Sequence, residues 1–285
     1  MNRISPERRW LALDVSNLAY MAVYAFGDLS YEGAGTGAAF GILRNVLELT
    51  ELYSVDGVVF CFDRGYGVRK KIYQEYKGNR REIRKRDESV DEKREIRRAV
   101  TRQLYRLRTR YLPDMGFKNV LWQDDYEADD IIASVCLGLG EGDEAIVVST
   151  DGDMFQLLCQ RVILWNPRKK KPVTEESFRE EYKTDPALWP MVKAIAGCSS
   201  DNVRGVKGVG EKTAIKFLSG NLKPTTAAFQ AIVKSNNKIK RNLKLVTLPF
   251  PGTKTFKLKK DKVTARNWDI IMEELGMKTL KGKWR

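Results

Sequence analysis

Three apolar runs in this chain end in aspartate: Asp14 after "LAL", Asp63 after "VVFCF" and Asp151 after "VVST". Two short stretches add acids in close order. "YEADD" supplies Glu127, Asp129 and Asp130, and "STDGD" supplies Asp151 and Asp153. Each feature has an ordinary explanation by itself. A strand-end aspartate caps a turn or a helix, and acids in the first turn of a helix answer its dipole. Gathered in one crevice, these carboxylates would repel one another and raise each other's pKa values unless cations neutralised them. Divalent metal is the natural neutraliser, and an all-oxygen donor set selects hard ions, Mg2+ or Mn2+ rather than zinc. Two such ions about 4 Å apart are the usual apparatus of phosphodiester hydrolysis. The chain has no histidine. A Ser-His-Asp triad, a histidine base and a histidine-ligated metal are excluded together.

The elements that must position these acids are short apolar strands alternating with amphipathic helices. Strands are predicted at 10–15, 57–63, 145–151 and 161–165, and helices at 36–53 and 127–139. Alternation of this kind implies an α/β fold with a central, mainly parallel sheet flanked by helices. In such a sheet ligands bind beyond the carboxyl ends of the strands, where the three aspartates stand. After about residue 185 helical segments take over, at 188–196, 211–218, 225–234, 238–247 and 265–275. Two regions are therefore expected: an α/β core over 1–184, and a helical region over 185–285.

The charge is concentrated. The chain carries 51 Lys and Arg against 37 Asp and Glu, a net of +14. Residues 64–110 alone hold eighteen Lys and Arg and seven Asp and Glu, a net of +11. A field that strong points to a polyanion, with nucleic acid the first choice and an anionic membrane surface the competitor. A solvated surface helix is the plain explanation of a charge run. Here the excess is one-signed, and Tyr66, Tyr73, Tyr76, Tyr105 and Tyr111 are interleaved with it. Aromatics among cations suit single-strand binding. No apolar run approaches transmembrane length, and Asp14 and Asn17 break the stretch that a signal peptide would need. A cytoplasmic location is expected. The four cysteines lack the spacing of a structural zinc site, and three of them, in apolar segments, are expected as buried thiols in a reducing compartment.

In order along the chain stand "LALDVSNLAY", "CFDRGYGVRKKIYQEYKGNR", "YEADDIIAS", "VVSTDGDMFQLL" and "DNVRGVKGVGEKTAIKFL". This set resembles the 5′-nuclease family, that of bacteriophage flap endonucleases and of the 5′-nuclease domain of bacterial DNA polymerase I. The resemblance runs from about residue 10 to about 250. It implies a free-standing, monomeric, PIN-like nuclease that cuts DNA flaps and 5′ ends in replication or repair, in a bacterial host if phage-encoded. Branched DNA and RNA primers join the implied partners. A first metal site would comprise Asp14, Asp63, Glu127, Asp129 and Asp151, with Asp130 and Asp153 at its edge. A second would use Asp130, Asp153 and Asp201. Asp129 and Asp151 would be central to catalysis. Lys77 and Arg80 would meet the scissile phosphate, and Tyr76 would stack on the end base. The basic segment 64–112 would form a helical arch, with Arg84, Lys85 and Arg86 on the DNA. "GVKGVGEK", near 203–218, matches a helix-hairpin-helix turn. Gly205, Gly208, Gly210 and Lys212 would approach a phosphate there, and a K+ ion would sit on its carbonyls.

One residue departs from the family pattern. Where G-D-x-x-D-N is usual, this chain reads Gly197-Cys198-Ser199-Ser200-Asp201-Asn202. A thiol is a soft ligand and a poor partner for Mg2+. The second site is expected to bind that ion more weakly. The alternative to a nuclease is a catalytically weak or inactive binder of branched DNA on the same fold. The stretch after residue 250, basic and partly helical, is expected either to touch DNA or to pack.

Overall fold

Trp10 to Asp14 are all buried, because this strand is covered on both faces. In the computed structural model, which describes residues 6–27, 29–79 and 91–284, Leu11 and Leu13 enter one apolar cluster. Trp10 and Ala12 enter another on the opposite face. The same alternation recurs in Val58 and Phe60 against Val59 and Cys61, and in Ile146 and Val148 against Ala145 and Val147. Successive side chains point to opposite faces of a strand. A strand apolar on both faces must therefore lie between two layers of helices, as parallel sheets do.

The sheet contains β1 (Arg9–Asp14), β2 (Gly57–Cys61), β3 (Asn119–Leu121), β4 (Glu144–Val148), β5 (Val162–Asn166) and β6 (Lys171–Val173). Their order is β3-β2-β1-β4-β5-β6. All pairs are parallel except β5 with the edge strand β6. One face carries α1 (Val15–Phe26), α2 (Gly37–Tyr53) and the end of α4 (Asp91–Arg106). The other carries α5 (Ala128–Leu137), α7 (Trp189–Ala196), α8 (Glu211–Leu218), α9 (Ala227–Lys234) and α10 (Asn236–Val246). A short α3 (Gly67–Ile72) follows β2, and α6 (Glu175–Tyr182) follows β6.

The helix α4 does not stop at Arg106. It passes through one π-helical turn, Leu107–Tyr111, into Leu112–Met115. Pro113 explains the widened turn. Its nitrogen has no hydrogen to give Thr109, and its ring crowds the preceding carbonyls. The Leu112 N–H reaches back to Leu107 O instead.

The expected division at residue 184 is not the one that packing draws. After α10 the chain returns to the first region. Asp261 accepts the Val58 and Lys118 N–H groups, each at 2.8 Å. Asn119 and Lys259 exchange two hydrogen bonds of 2.8 Å. The last helix, α11 (Ala265–Glu274), then drives Trp268, Ile271 and Met272 into the cluster under α1 and α2. Trp268 is fully buried, donates its indole N–H to Leu280 O at 2.9 Å and stacks on Trp284. Of the two roles expected for this stretch, packing is the one its side chains fill.

Trp268→Ala should therefore cost about 3–5 kcal/mol, the range for deleting a buried aromatic. Urea unfolding should show a lower midpoint. A loss under about 1 kcal/mol would mean that the C-terminal stretch is not part of the main core.

Candidate metal centre and nucleic-acid turn

The strands β1, β2 and β4 lie side by side, with Asp14 opposite Cys61 and Leu13 opposite Val148. Their carboxyl ends open at one edge. Asp14 closes β1, Asp63 lies two residues beyond β2, and Asp151 lies three beyond β4. Asp129 comes from the first turn of α5. Hydrogen bonds fix this edge. Asp14 accepts from the Asn17 N–H at 3.0 Å and from the Ser149 hydroxyl at 2.9 Å. The Asn17 amide donates to Thr150 Oγ1 at 2.8 Å, so α1 holds the "STDGD" loop. Asp63 Oδ1 accepts the Ala128 N–H at 2.8 Å and ties α5 to the same edge.

These four carboxylates influence one another. Burial pushes Asp14 up to about 7, and Asp63 and Asp151 add to the rise. Asp129 lies well above the usual carboxylate range, through burial first and then the charges of Asp151, Asp14 and Glu127. Among the described residues, none of Asp14, Asp63, Asp129 and Asp151 makes an ion pair. An oxygen-only set without its own cation suits a hard divalent ion.

The other acids have protein cations. Glu127 meets the Lys77 ammonium, Arg69 Nη1 at 3.4 Å and the Tyr76 hydroxyl at 2.8 Å. Burial raises its pKa, and Lys77 and Arg69 partly offset that. Asp153 sits 3.2 Å from Lys193 Nζ. Burial and Asp151 lift it to about 6, against the pull of Lys193. Asp201 Oδ1 lies 3.4 Å from Lys77 Nζ. Lys77 is in the left-handed region at φ 53, and its N–H donates to Asp201 O at 2.8 Å. That turn aims its buried ammonium at the acids.

The expected roles of Asp130 and Tyr76 need correction. Asp130 does not join the acidic edge. It is fully buried and grips Arg69 through two bonds of 2.5 and 2.8 Å, while Oδ1 also accepts the Phe250 N–H. Neighbouring residues on a helix project about 100° apart. With Asp129 facing the crevice, Asp130 faces inward. Tyr76 is no exposed stacking surface. It is 3% exposed, and its hydroxyl lies 2.8 Å from Glu127 Oε2 and 3.0 Å from Asp201 Oδ2. The Arg80, Arg84, Lys85 and Arg86 expectations lie outside the described residues.

Cys198 stands beside the second group of acids. One donor atom each from Asp153, Cys198 and Asp201 lie within 4.8 Å of one another. The thiol is buried, contacts Ser200 Oγ at 3.0 Å, and is pushed up to about 11, mainly by burial and then by Asp153. Downstream, Gly208 takes φ 77 with open space where a side chain would be, and Gly210 is equally open at the start of α8. Gly205 serves packing instead. A Cβ there would collide with the Ala196 carbonyl. Lys212 is exposed in the first turn of α8.

Two cations that pair with the acids were not picked out by the sequence pattern. Arg69 was hidden in a basic run. Lys193 had a signal, since it is the one charged residue in the apolar helix "WPMVKAIA". It bridges Asp153 and Glu211, the latter at 3.4 Å.

Comparison with known proteins identifies the family and the fold. The family model for the 5′-3′ exonuclease, N-terminal resolvase-like domain, matches residues 9–183. The thermostable DNA polymerase I of Thermus thermophilus is 31% identical over 216 residues, covering 75% of this chain and 24% of that protein. The chain thus spans about a quarter of the length of that relative. A 5′-3′ exonuclease of Buchnera aphidicola is 29% identical over 264 residues, 90% of this chain and 82% of that one. The bacteriophage T5 5′-exonuclease with divalent metal ions (zinc) bound superposes with a TM-score of 0.73 at 25% identity, over 85% of this chain and 90% of that one. The T5 flap endonuclease in complex with DNA and metal ions shares the fold, with a TM-score of 0.72 at 23% identity over 97% and 98% of the two chains. With its α/β core matched from the first strand through α6, the chain belongs to the family of the 5′-3′ exonuclease N-terminal, resolvase-like domain.

Proposed function

We propose that this chain is a divalent-metal-dependent 5′-nuclease that hydrolyses DNA phosphodiesters at flaps and 5′ ends, in replication or repair. The observation that carries the reading is the quartet Asp14, Asp63, Asp129 and Asp151. It gathers at the sheet edge, where burial and then mutual charge raise the pKa values of Asp14 and Asp129, and it has no ion-pair partner among the described residues. A binding protein gains nothing from such repulsion. These four would hold the first ion, with Mg2+ the expected metal and Mn2+ a substitute. Bound divalent ions supply an activated water and stabilise the charge of the transition state.

The chain's own groups do the rest. Ser149 and Asn17 hold the Asp14 carboxylate and the neighbouring loop in place. Lys77 sets a fixed cation beside the acids, where a scissile phosphate would develop negative charge. Arg80 is proposed as its companion. At the start of α8 the Glu211 and Lys212 N–H groups have no carbonyl ahead of them, and Gly208 and Gly210 leave their backbone approachable. That is a phosphate seat of the helix-hairpin-helix kind, and the place for a K+ ion. Exposed cations Arg168 to Lys171 turn the β5–β6 hairpin at the same end of the sheet. The T5 relative's complex with DNA and metal ions supports the reading. The enzyme is expected to act as a monomer, with RNA primers as further substrates.

Asp129→Ala should lower flap cleavage in Mg2+ by at least about 100-fold, while metal-free flap affinity stays. Persistent turnover would remove Asp129 from the centre. A wild type that binds flaps tightly yet cleaves none, in Mg2+ or Mn2+, would favour the binder instead.

A second expectation concerns pH. The Asp14 and Asp153 pKa values are raised, to about 7 and about 6. Between about 4 and about 7 the folded state therefore holds more protons than the unfolded chain, and stability falls as pH rises through that window. Urea unfolding in EDTA should show a loss of at least about 1 kcal/mol from about pH 5 to about pH 7.5. Mg2+ should restore it at the higher pH. A metal-free stability that rises across the window would contradict the raised values of Asp14 and Asp153.

The salt slope tests the arch. Replacing Arg84, Lys85 and Arg86 together by glutamine should flatten the dependence of log K on log salt by about 0.9 for each phosphate no longer neutralised. An unchanged slope would place this segment off the DNA.

A further inference from the structure

The group at Asp153, Cys198 and Asp201 differs from the strand-end quartet in two independent ways. It contains a thiol, and it contains a buried carboxylate with few donors. Asp153 is 9% exposed. Its Oδ1 meets only the Lys193 ammonium, at 3.2 Å. Among the described residues its Oδ2 has only the Cys198 thiol, at 4.0 Å. A buried carboxylate so poorly satisfied is costly, and this one points at the sulfur.

We propose that Asp153, Cys198 and Asp201 form a site for a thiophilic divalent ion, of the zinc, cadmium or cobalt class, in preference to magnesium. That a metal belongs at this place rests on the proposed function; the class of metal rests on the donors. A hard ion gains little from sulfur. It would find two carboxylates, each already beside an ammonium: Lys193 at Asp153 and Lys77 at Asp201. A thiophilic ion behaves otherwise. The S–H bond breaks, the proton leaves to solvent, and a metal–sulfur bond forms with a thiolate. The thiolate returns the negative charge that an aspartate would have carried. Ser200 Oγ, 3.0 Å from the sulfur, stands where it can hydrogen-bond and orient the ligand. One replacement thus changes which ion the group prefers, and leaves the oxygen-only quartet to magnesium.

The test is spectroscopic. Cys159 is exposed, whereas Cys61 and Cys136 are buried, so a Cys159→Ser protein is the background. Co2+ is titrated into the metal-free protein in excess Mg2+, following the thiolate-to-metal charge-transfer absorption. A band that saturates at one ion per chain and disappears in Cys198→Ser is expected. In Cys198→Asp no band should appear, and electron paramagnetic resonance should count one more bound Mn2+ per chain than in the background protein. That variant also keeps the test decisive if Cys198→Ser fails to fold. Absence of the band in the background protein, or its persistence in Cys198→Ser, overturns the proposal. So does an unchanged Mn2+ count in Cys198→Asp. A protein that cleaves flaps in Mg2+ but shows no band would sink this inference alone.

Discussion

Like charge gathered at one sheet edge is the constraint from which the rest of the site follows. Three parallel strands can deliver three aspartates to one line only if their ends are aligned, and the register of β1 with β2 and β4 does that. Burial first, and then the charge of the neighbouring acids, raises the pKa values of Asp14 and Asp129. The fold tolerates this because its stability comes from elsewhere. Two apolar layers on the sheet, one reinforced by Trp268 and its neighbours from the C-terminal helix, hold the strands that carry the acids. The strain of repulsion can then stay where an ion relieves it.

The distribution of cations sorts the acids by role better than their order in the sequence does. Arg69 answers Asp130, Lys77 answers Glu127 and Asp201, and Lys193 answers Asp153. Burying an ion pair is costly unless its geometry is good and its remaining valences are met. The Arg69–Asp130 pair satisfies that condition. Its guanidinium also donates to Leu245 O at 2.9 Å and lies over the Phe250 ring. It therefore reads as a clamp joining α3, α5 and the end of α10. Breaking either partner would leave the other charge buried.

Much of this was legible in the sequence. The apolar runs at β1, β2, β4 and β5 pointed to the parallel sheet, because strands buried on both faces have few polar residues. The acidic edge followed from where those runs ended. Other parts were hidden for physical reasons. The helix α1 begins directly at Asp14, so strand and helix run together with no turn residue to separate them. The edge strands β3 and β6 have three residues each and are held by neighbours rather than by pattern. Asp129 and Asp130 look equivalent as letters, and only the helical rotation separates them. Tyr76 looks like a surface aromatic until two acids claim its hydroxyl.

A last consequence concerns distance. The glycine turn before α8 and the acids meet on a single helix. The backbone of Gly205 packs against Ala196 at the end of α7, and Lys193 in α7 reaches both Asp153 and Glu211 of α8. No linker intervenes. A duplex phosphate seated at the start of α8 would therefore stand at a fixed spacing from the metal centre. In the proposed nuclease, the site of cleavage would be set by this rigid spacing rather than by reading bases. Phosphate contacts position a protein on DNA but carry no sequence information. An enzyme built this way selects structure over sequence.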